Sequence, residues 1–134
     1  MELAYTLVNL SVLPFWLSML VAPAHRITAA ATAAGPPLYA ALYTVLAVIY
    51  IGSGDGHMAS LAGLRTAFES DGMLLLAWVH FLCFDMFIGA WELRDARRRG
   101  LPHRRLVPCL LLTLMFGPAG FGAYLLVRRL PHTR

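Results

Sequence analysis

Four apolar runs dominate this sequence, and each approaches the roughly 20 residues that an α-helix needs to cross a hydrocarbon core about 30 Å thick. They cover residues 3–21, 37–51, 73–93 and 106–127. Only 13% of the 134 residues are charged, against about 25% in a typical soluble domain. The pattern predicts an all-α, polytopic membrane protein: one integral membrane domain, residues 1–134, built as a four-transmembrane-helix bundle.

The first two runs need a closer reading. The first carries Glu2 near its start, where a signal peptide carries basic residues, so it predicts a retained helix. The second follows Pro36 and Pro37, and proline removes a backbone donor and crowds the preceding turn. The second helix therefore either begins at these prolines or continues back through residues 27–34 with a kink.

The segment between the second and third runs starts with a glycine-rich stretch, residues 52–56, which predicts a flexible hinge. Apolar residues then recur at three- or four-residue spacing, at Met58, Leu61, Leu64 and Phe68. This spacing is typical of an amphipathic helix. We expect a short amphipathic helix at the membrane interface between helices two and three.

All 11 basic residues apart from histidine are arginines, and they cluster beside apolar runs, which argues against a nucleic-acid-binding face. Four crossings would place seven of them, Arg26 and those of loop 94–105, on one side of the membrane. The other four, Arg65, Arg128, Arg129 and Arg134, would lie opposite. The positive-inside rule then predicts a cytoplasmic loop 94–105 with both termini outside. The compact, lysine-free chain suggests a bacterial inner membrane.

The sequence offers little support for a metal site or a disulfide. Cys83 and Cys109 differ in depth by roughly 10 Å in an antiparallel helix pair, whereas a disulfide needs Cα atoms within about 7 Å. Two cysteines are too few for a structural zinc site, and no hydrolase or metalloenzyme motif is present. We expect no metal and no cofactor.

The third run holds ionisable residues at membrane depth, where each is a functional hypothesis by default. His80 and Asp85 lie about 140° apart around the helix, so they do not touch along it. A wide inward sector would let both flank one ligand, as a proton acceptor and a proton donor. Two stripes run along this helix: Trp78, Asp85 and Glu92 form one, and His80, Phe84, Phe87 and Trp91 form the other.

A structural role is the alternative for the same residues. Asp85 and His80 would then hydrogen-bond to Asn9, Tyr43 or Arg94 and hold the bundle together. Glu92 and Asp95 follow at the helix end beside Arg94 and Arg97, where solvated ion pairs are the expected arrangement. Asn9 in the first helix fits a packing hydrogen bond as well as a ligand contact.

The fourth run contains Gly117-Pro118-Ala119-Gly120. Pro118 cannot donate to the carbonyl of Leu114, which predicts a kink near the middle of the membrane. The small residues allow another helix or a ligand to approach closely.

Several motifs resemble the abscisic-acid-deficient-four-like family. They are Leu-Pro-Phe-Trp at 13–16 with Asn9, the run from Ala77 to Phe87, residues 92–99, Val-Pro-Cys-Leu-Leu-Leu-Thr at 107–113, and Phe-Gly-Pro-Ala-Gly at 116–120. The resemblance covers nearly the whole chain and is weakest from about 24 to 70.

This resemblance implies a membrane protein of carotenoid or xanthophyll metabolism. It implies an acid/base isomerase of the neoxanthin synthase type, which converts an epoxy-carotenoid to an allenic product without a cofactor. His80 and Asp85 match the family's His-x-x-x-x-Asp pattern and are the expected catalytic residues. The expected substrate-binding residues are Asn9, Trp78, Phe84, Trp91, Pro118 and Gly120.

Other functions remain open at this stage. The chain could isomerise a carotenoid or another polyene lipid, or it could bind one without catalysis. In both cases the ligand would bind within the lipid bilayer. A non-catalytic protein would act as a scaffold for carotenoid-biosynthetic enzymes, with homo-oligomerisation as a further possibility. Proton or ion transport has less support, because the chain shows no repeated halves.

Overall fold

The computed structural model describes residues 1–52 and 56–130, so most of the predicted glycine-rich hinge, together with His132 and Arg134, lies outside the described residues. Within the described part the chain forms six α-helices. They are α1 (Glu2–Val21), α2 (Arg26–Tyr50), α3 (Leu61–Ala67), α4 (Asp71–Arg99), α5 (His103–Phe116) and α6 (Pro118–Val127).

Three of these helices, α1, α2 and α4, are long and apolar enough to cross a membrane. At 1.5 Å per residue, their lengths are about 30, 37 and 43 Å, and a hydrocarbon core is about 30 Å thick. The all-helical membrane architecture predicted from sequence is therefore present. A bundle of four crossings is not confirmed.

Helix α2 runs without interruption through its two internal prolines. It begins at Arg26, and His25 is its N-cap. The Nδ1 of His25 accepts a hydrogen bond from the backbone N–H of Ile27 at 3.2 Å. A start at residue 37 was therefore wrong, and the extension back through residues 27–34 is correct. Pro36 is buried, and Gly35 packs against Phe15 of α1 and Met86 of α4, where a side chain would be crowded.

The three long helices pack side by side. Helix α2 is antiparallel to α4, since Tyr43 lies beside His80 while Tyr50 lies against Gly72. Helix α1 is parallel to α4, because its C-terminal half meets α4 at Gly89. Helix α4 is longer than the predicted 73–93 and ends at Arg99. Gly100 follows as its C-cap, with a φ of +68° that suits a residue without a Cβ.

The predicted single helix over residues 106–127 is instead two helices. Helix α5 has 14 residues and α6 has 10. These lengths give about 21 and 15 Å, too short to cross a hydrocarbon core. The break falls at Gly117, whose φ of +30° is in the range that favours glycine, and Pro118 begins α6 where its missing N–H is tolerated.

The two short helices form a hairpin that enters and leaves at the same end of α4. Thr113 of α5 contacts Glu92, and Gly117 lies against Asp85 in the middle of α4. Farther along α6, the Tyr124 hydroxyl donates to Asp95 at 2.7 Å. The predicted kink is therefore a complete reversal of the chain, and the hairpin covers only half of the length of α4.

Because of the hairpin, Arg128 and Arg129 lie at the end of the molecule opposite to the predicted one. Arg128 contacts Asp95 at 3.2 Å, so it lies at the same end of the molecule as loop 94–105, and its predicted place at the opposite end was wrong. Arg65 lies at the other end, on α3, which packs beside Tyr50 and Met73 through Ala67. Nine of the ten arginines in the described part of the chain thus share one end: Arg26, Arg94, Arg97, Arg98, Arg99, Arg104, Arg105, Arg128 and Arg129.

Helix α3 occupies the place of the predicted interfacial helix, although it has only seven residues. The Ser60 hydroxyl caps it by accepting from the N–H of Gly63 at 3.0 Å. Its buried face consists of Gly63 and Ala67, whereas Met58 and Leu61 are exposed. Its orientation along a membrane surface remains a prediction.

The close approach of the two hairpin helices is testable at Gly120. A Cβ at this position would collide with the backbone of Thr113, whereas a Cβ at Gly122 of the same helix meets nothing within 4 Å. We expect Gly120→Ala to lower the free energy of unfolding by about 1–3 kcal/mol through overpacking. Gly122→Ala should leave it unchanged or raise it by up to about 1 kcal/mol, because alanine favours helix.

The measurement is unfolding of the detergent-solubilised protein by SDS, followed by tryptophan fluorescence. Trp91 packs against Phe121 and Tyr124 of α6 and reports on hairpin docking. Equal stability of the two variants would contradict the hairpin packing.

Candidate functional site

The His80 ring lies on the flank of the bundle between α4 and α2. Its centroid is 5.4 Å from the ring of Tyr43 on α2 and 4.8 Å from that of Phe84. Phe81 packs edge-on to it at 6.1 Å. His80 is exposed on this flank and does not point into the bundle interior, contrary to the sequence-based expectation.

Two cavities meet at Tyr43 and His80, which line both of them. The larger, about 420 Å³, extends past Trp78 and Phe81 toward the segment before α3. The smaller, about 360 Å³, lies between α2 and α4 beside Ala40 and Phe84. We call the two cavities together the His80 groove. Aromatic side chains from both helices line it, and they suit a flat apolar ligand.

Most polar side chains in this groove already have partners. The Thr44 hydroxyl donates to the carbonyl of Ala40 at 2.8 Å, and Cys83 Sγ donates to that of Pro36 at 3.5 Å. Over residues 1–52 and 56–130, the Tyr43 hydroxyl and the His80 ring nitrogens have no hydrogen bond. These two groups are therefore available to a ligand.

Asp85 has different surroundings from His80. Its carboxylate oxygen Oδ1 lies so close to Gly117, at the tip of the α5–α6 hairpin, that a Cβ on this residue would collide with it. It is half-buried, and in the part of the chain described here its carboxylate accepts no hydrogen bond. His80 faces α2 while Asp85 faces the hairpin. The structure therefore does not bring the two predicted catalytic residues together.

Asn9 and Trp78 connect α1 to α4. The Asn9 amide donates to the carbonyl of Tyr5 at 2.8 Å, and its Oδ1 accepts from the Trp78 indole N–H at 3.1 Å. Asn9 thus makes the packing hydrogen bond that was the structural alternative. It contributes to the His80 groove only by orienting Trp78. Phe84, by contrast, lines the groove directly. Its role in substrate binding stays a prediction.

The other predicted substrate-binding residues lie where the hairpin packs against α4: Trp91 is on α4, and Pro118 and Gly120 are on α6. Trp91 packs on Tyr124, with ring centroids 5.5 Å apart, and the guanidinium of Arg128 lies 5.4 Å from its ring centroid. Pro118 starts α6, and Gly120 lies against α5. These contacts hold α6 against α4 and α5.

Glu92 is the functional candidate that sequence reasoning missed. The prediction of a solvated ion pair was wrong, since Glu92 is 0% exposed and lies against α5. The buried Thr113 hydroxyl lies 3.0 Å from one carboxyl oxygen and 3.2 Å from the other, and donates to this carboxylate. The burial of Glu92 depends on its contact with α5, which the sequence does not show. In the sequence Glu92 comes just before the arginines of loop 94–105, and this position favoured an ion pair.

Asp95, one turn farther along α4, does form ion pairs. Its Oδ2 contacts Arg99 Nε at 2.8 Å and Arg128 Nη1 at 3.2 Å, and it also accepts from Tyr124. The ion-pair prediction was correct for Asp95, although Arg94 and Arg97 are not the partners. Within residues 1–52 and 56–130, no group of three or more His, Cys, Asp or Glu side chains is arranged to hold a metal ion.

These features define a helical membrane protein with an aromatic groove on its flank. The sequence profile of the ABA DEFICIENT 4-like family matches residues 3–124, and the chain belongs to this family. It is 28% identical over 128 residues to the protein ABA DEFICIENT 4, chloroplastic, of Arabidopsis thaliana, covering 88% of this chain. The chain spans 57% of the length of that relative. No solved structure matches it.

The Thr113–Glu92 contact gives a second testable prediction. Thr113→Val keeps the side-chain shape but leaves the buried Glu92 carboxyl without this donor, which should lower the free energy of unfolding by about 1–3 kcal/mol. Thr44→Val removes a hydroxyl that bonds only within its own helix at an exposed position, and should change stability by less than about 0.5 kcal/mol.

A double-mutant cycle of Thr113→Val with Glu92→Leu isolates the pair, because leucine has no acceptor for the Thr113 hydroxyl. Glu92→Gln keeps an amide oxygen that accepts from Thr113, so this change alone should be milder than Thr113→Val. Strict additivity of Thr113→Val and Glu92→Leu would show that the two side chains do not interact.

Proposed function

We propose that this chain is a membrane protein of carotenoid metabolism and that it binds a polyene, such as a xanthophyll, in the His80 groove. Membership of the ABA DEFICIENT 4-like family supports the metabolic role. The observation that carries the location is the pair of cavities meeting at His80 and Tyr43.

The position of the groove suits a ligand dissolved in lipid. It lies between two helices long enough to span a membrane, and Phe81 and Phe84 beside it are exposed. A polyene therefore reaches the groove laterally from the bilayer and remains out of water. The aromatic rings provide flat apolar surface, and the polar groups at the junction fix the ligand's orientation.

The proposed activity is isomerisation of an epoxy-carotenoid to an allenic product, as in a neoxanthin synthase. The reaction requires protonation of the epoxide oxygen and removal of a proton from the adjacent polyene carbon, so it uses acid/base groups and no redox change. His80 is the proposed acid/base residue in the groove. Phe84 and Trp78 provide the apolar contacts, and Asp85 at the hairpin tip belongs to a separate environment.

Non-catalytic binding is the second candidate, and one observation favours it. His80 and Asp85, the pair expected to share the proton transfers, contact different elements of the structure. In this role the protein would hold a carotenoid for biosynthetic enzymes, alone or as a homo-oligomer.

We further propose that the chain crosses the membrane three times and that the α5–α6 hairpin is re-entrant. The end with nine arginines would face the cytoplasm and the N-terminus would lie on the other side. The bias of nine arginines against Arg65 supports this orientation more strongly than the count derived for four crossings.

Pigment binding tests the proposed site. The full chain is produced in cells that make epoxy-carotenoids, purified in mild detergent, and analysed for pigment by chromatography. Ala40→Phe fills the smaller cavity and should reduce the pigment-to-protein ratio severalfold, because the larger ring occupies the ligand's space. Ala119→Phe makes the same change at an exposed position of α6 and should leave the ratio unchanged.

A colourless wild-type protein, or equal loss in both variants, would refute binding in this groove. The cellular pigment profile separates the two candidate functions. A new allenic product that depends on the chain supports isomerisation, and bound pigment with an unchanged profile supports non-catalytic binding.

Reporter fusions test the three-crossing topology. Green fluorescent protein at the C-terminus should fluoresce and alkaline phosphatase there should be inactive, because three crossings and a re-entrant hairpin leave that end in the cytoplasm. A fusion after Gly100 is cytoplasmic with three or four crossings and serves as the control. Active phosphatase at the C-terminus would restore the fourth crossing.

A further inference from the structure

We propose that Tyr43 is the second polar group of the ligand site, and that its hydroxyl acts together with the His80 imidazole on one oxygen-bearing end group of the ligand. This inference rests on the proposed function. It replaces the pairing of His80 with Asp85, which comes from spacing along one helix, with a pairing across two helices.

Tyr43 and His80 lie on the flank of the bundle, where His80 is exposed and Tyr43 is partly exposed. In the proposed topology this flank faces lipid, and a polar group without a partner in an apolar environment is destabilising. In the described part of the chain, the Tyr43 hydroxyl and the His80 ring have no hydrogen bond, although Thr44 and Cys83 beside them do. A ligand that carries oxygen would satisfy both groups.

Tyr43 and His80 lie side by side in the groove. The ring centroids of Tyr43 and His80 are 5.4 Å apart, and both side chains line both cavities of the groove. An end group at the junction of the cavities would therefore contact both residues. Asp85 does not compete for this role, because its carboxylate lies against Gly117 of the hairpin.

Tyr43 and His80 together can act as an acid and a base. A phenol hydroxyl is a donor, and a neutral imidazole nitrogen is an acceptor. The Tyr43 hydroxyl gives its proton to the epoxide oxygen as the carbon–oxygen bond breaks. His80 removes the proton from the neighbouring polyene carbon, and the electrons of that carbon–hydrogen bond form the new double bond of the allene.

Tyr43 and His80 together account for both proton transfers. The substrate gains a proton at oxygen and loses one at carbon, so the product is an isomer. The reaction leaves a phenolate and an imidazolium side by side, and transfer of the proton from His80 to Tyr43 restores both. No oxidant, reductant or cofactor enters the cycle.

The pair also predicts ligand selectivity. A polyene with an epoxide or hydroxyl on its end group satisfies the two polar side chains, whereas a hydrocarbon polyene leaves them unpaired. A site that hydrogen-bonds an oxygen of its ligand discriminates against ligands that lack this oxygen. The oxygenated polyene should therefore bind in preference to the hydrocarbon.

The experiment compares wild-type protein, Tyr43→Phe and Tyr5→Phe in lipid nanodiscs, with an epoxy-carotenoid and a hydrocarbon carotene as probes. Tyr43→Phe keeps the ring and removes only the hydroxyl. It should weaken epoxy-carotenoid binding by about 2- to 10-fold and leave hydrocarbon binding unchanged. It should lower conversion by roughly 10²- to 10⁴-fold. Tyr5→Phe makes the same change on α1, outside the groove, and should behave as wild type.

A second variant separates binding from proton transfer. His80→Gln retains hydrogen bonding but provides a poor base, so it should lower conversion far more than affinity. If neither probe binds to the wild-type protein, the proposed function fails, and the inference fails with it. If the wild-type protein binds and converts the epoxy-carotenoid while Tyr43→Phe does so equally well, the inference alone is overturned. Loss of hydrocarbon binding in Tyr43→Phe would indicate a structural role for the hydroxyl and would also overturn it.

Discussion

The reversal of the chain at Gly117 is the constraint on which the rest of the architecture depends. A residue with a Cβ is strained at a φ of +30°, and here a Cβ would also meet the Asp85 carboxylate. Pro118 follows and cannot continue the hydrogen bonds of α5. The chain therefore turns back, and Gly120 lets α6 lie directly against Thr113. That contact accompanies the burial of Thr113 against Glu92 and joins the hairpin to α4.

Two carboxylates on one face of α4 acquire different surroundings because the hairpin is short. Glu92 faces the body of α5 and is fully buried, with a single hydroxyl donor. Asp85, two turns away, lies against Gly117 at the hairpin tip and is half-buried. The accessibility of each carboxylate depends on which part of the α5–α6 hairpin lies opposite it. Distance from the nearest arginine, the criterion available from sequence, gave the wrong result for Glu92.

Much of the fold could be predicted from hydropathy, because apolar length is a local property. The three long helices were found, and the Gly117–Gly120 motif was recognised as a disruption of the last run. Hydropathy sums along the chain and does not distinguish one straight helix from two short ones that fold back. The arginines held a clue: placing Arg128 and Arg129 with loop 94–105 gives a stronger charge bias than four crossings allow.

The proposed pairing of Tyr43 with His80 was harder to predict, because the periodicity of one helix says nothing about its neighbours. His80 and Asp85 are both on α4, and their spacing matched a known family pattern. Tyr43 is on α2, 37 positions before His80 in the sequence. A lipid-soluble ligand gains little from leaving the bilayer for an apolar protein surface, since both environments are apolar. Shape and polar contacts must therefore provide its specificity. In the proposed site, the aromatic walls of the His80 groove would supply the shape. The Tyr43 hydroxyl and the His80 imidazole, which have no hydrogen bond in the described part of the chain, would supply the polar contacts that lipid does not offer.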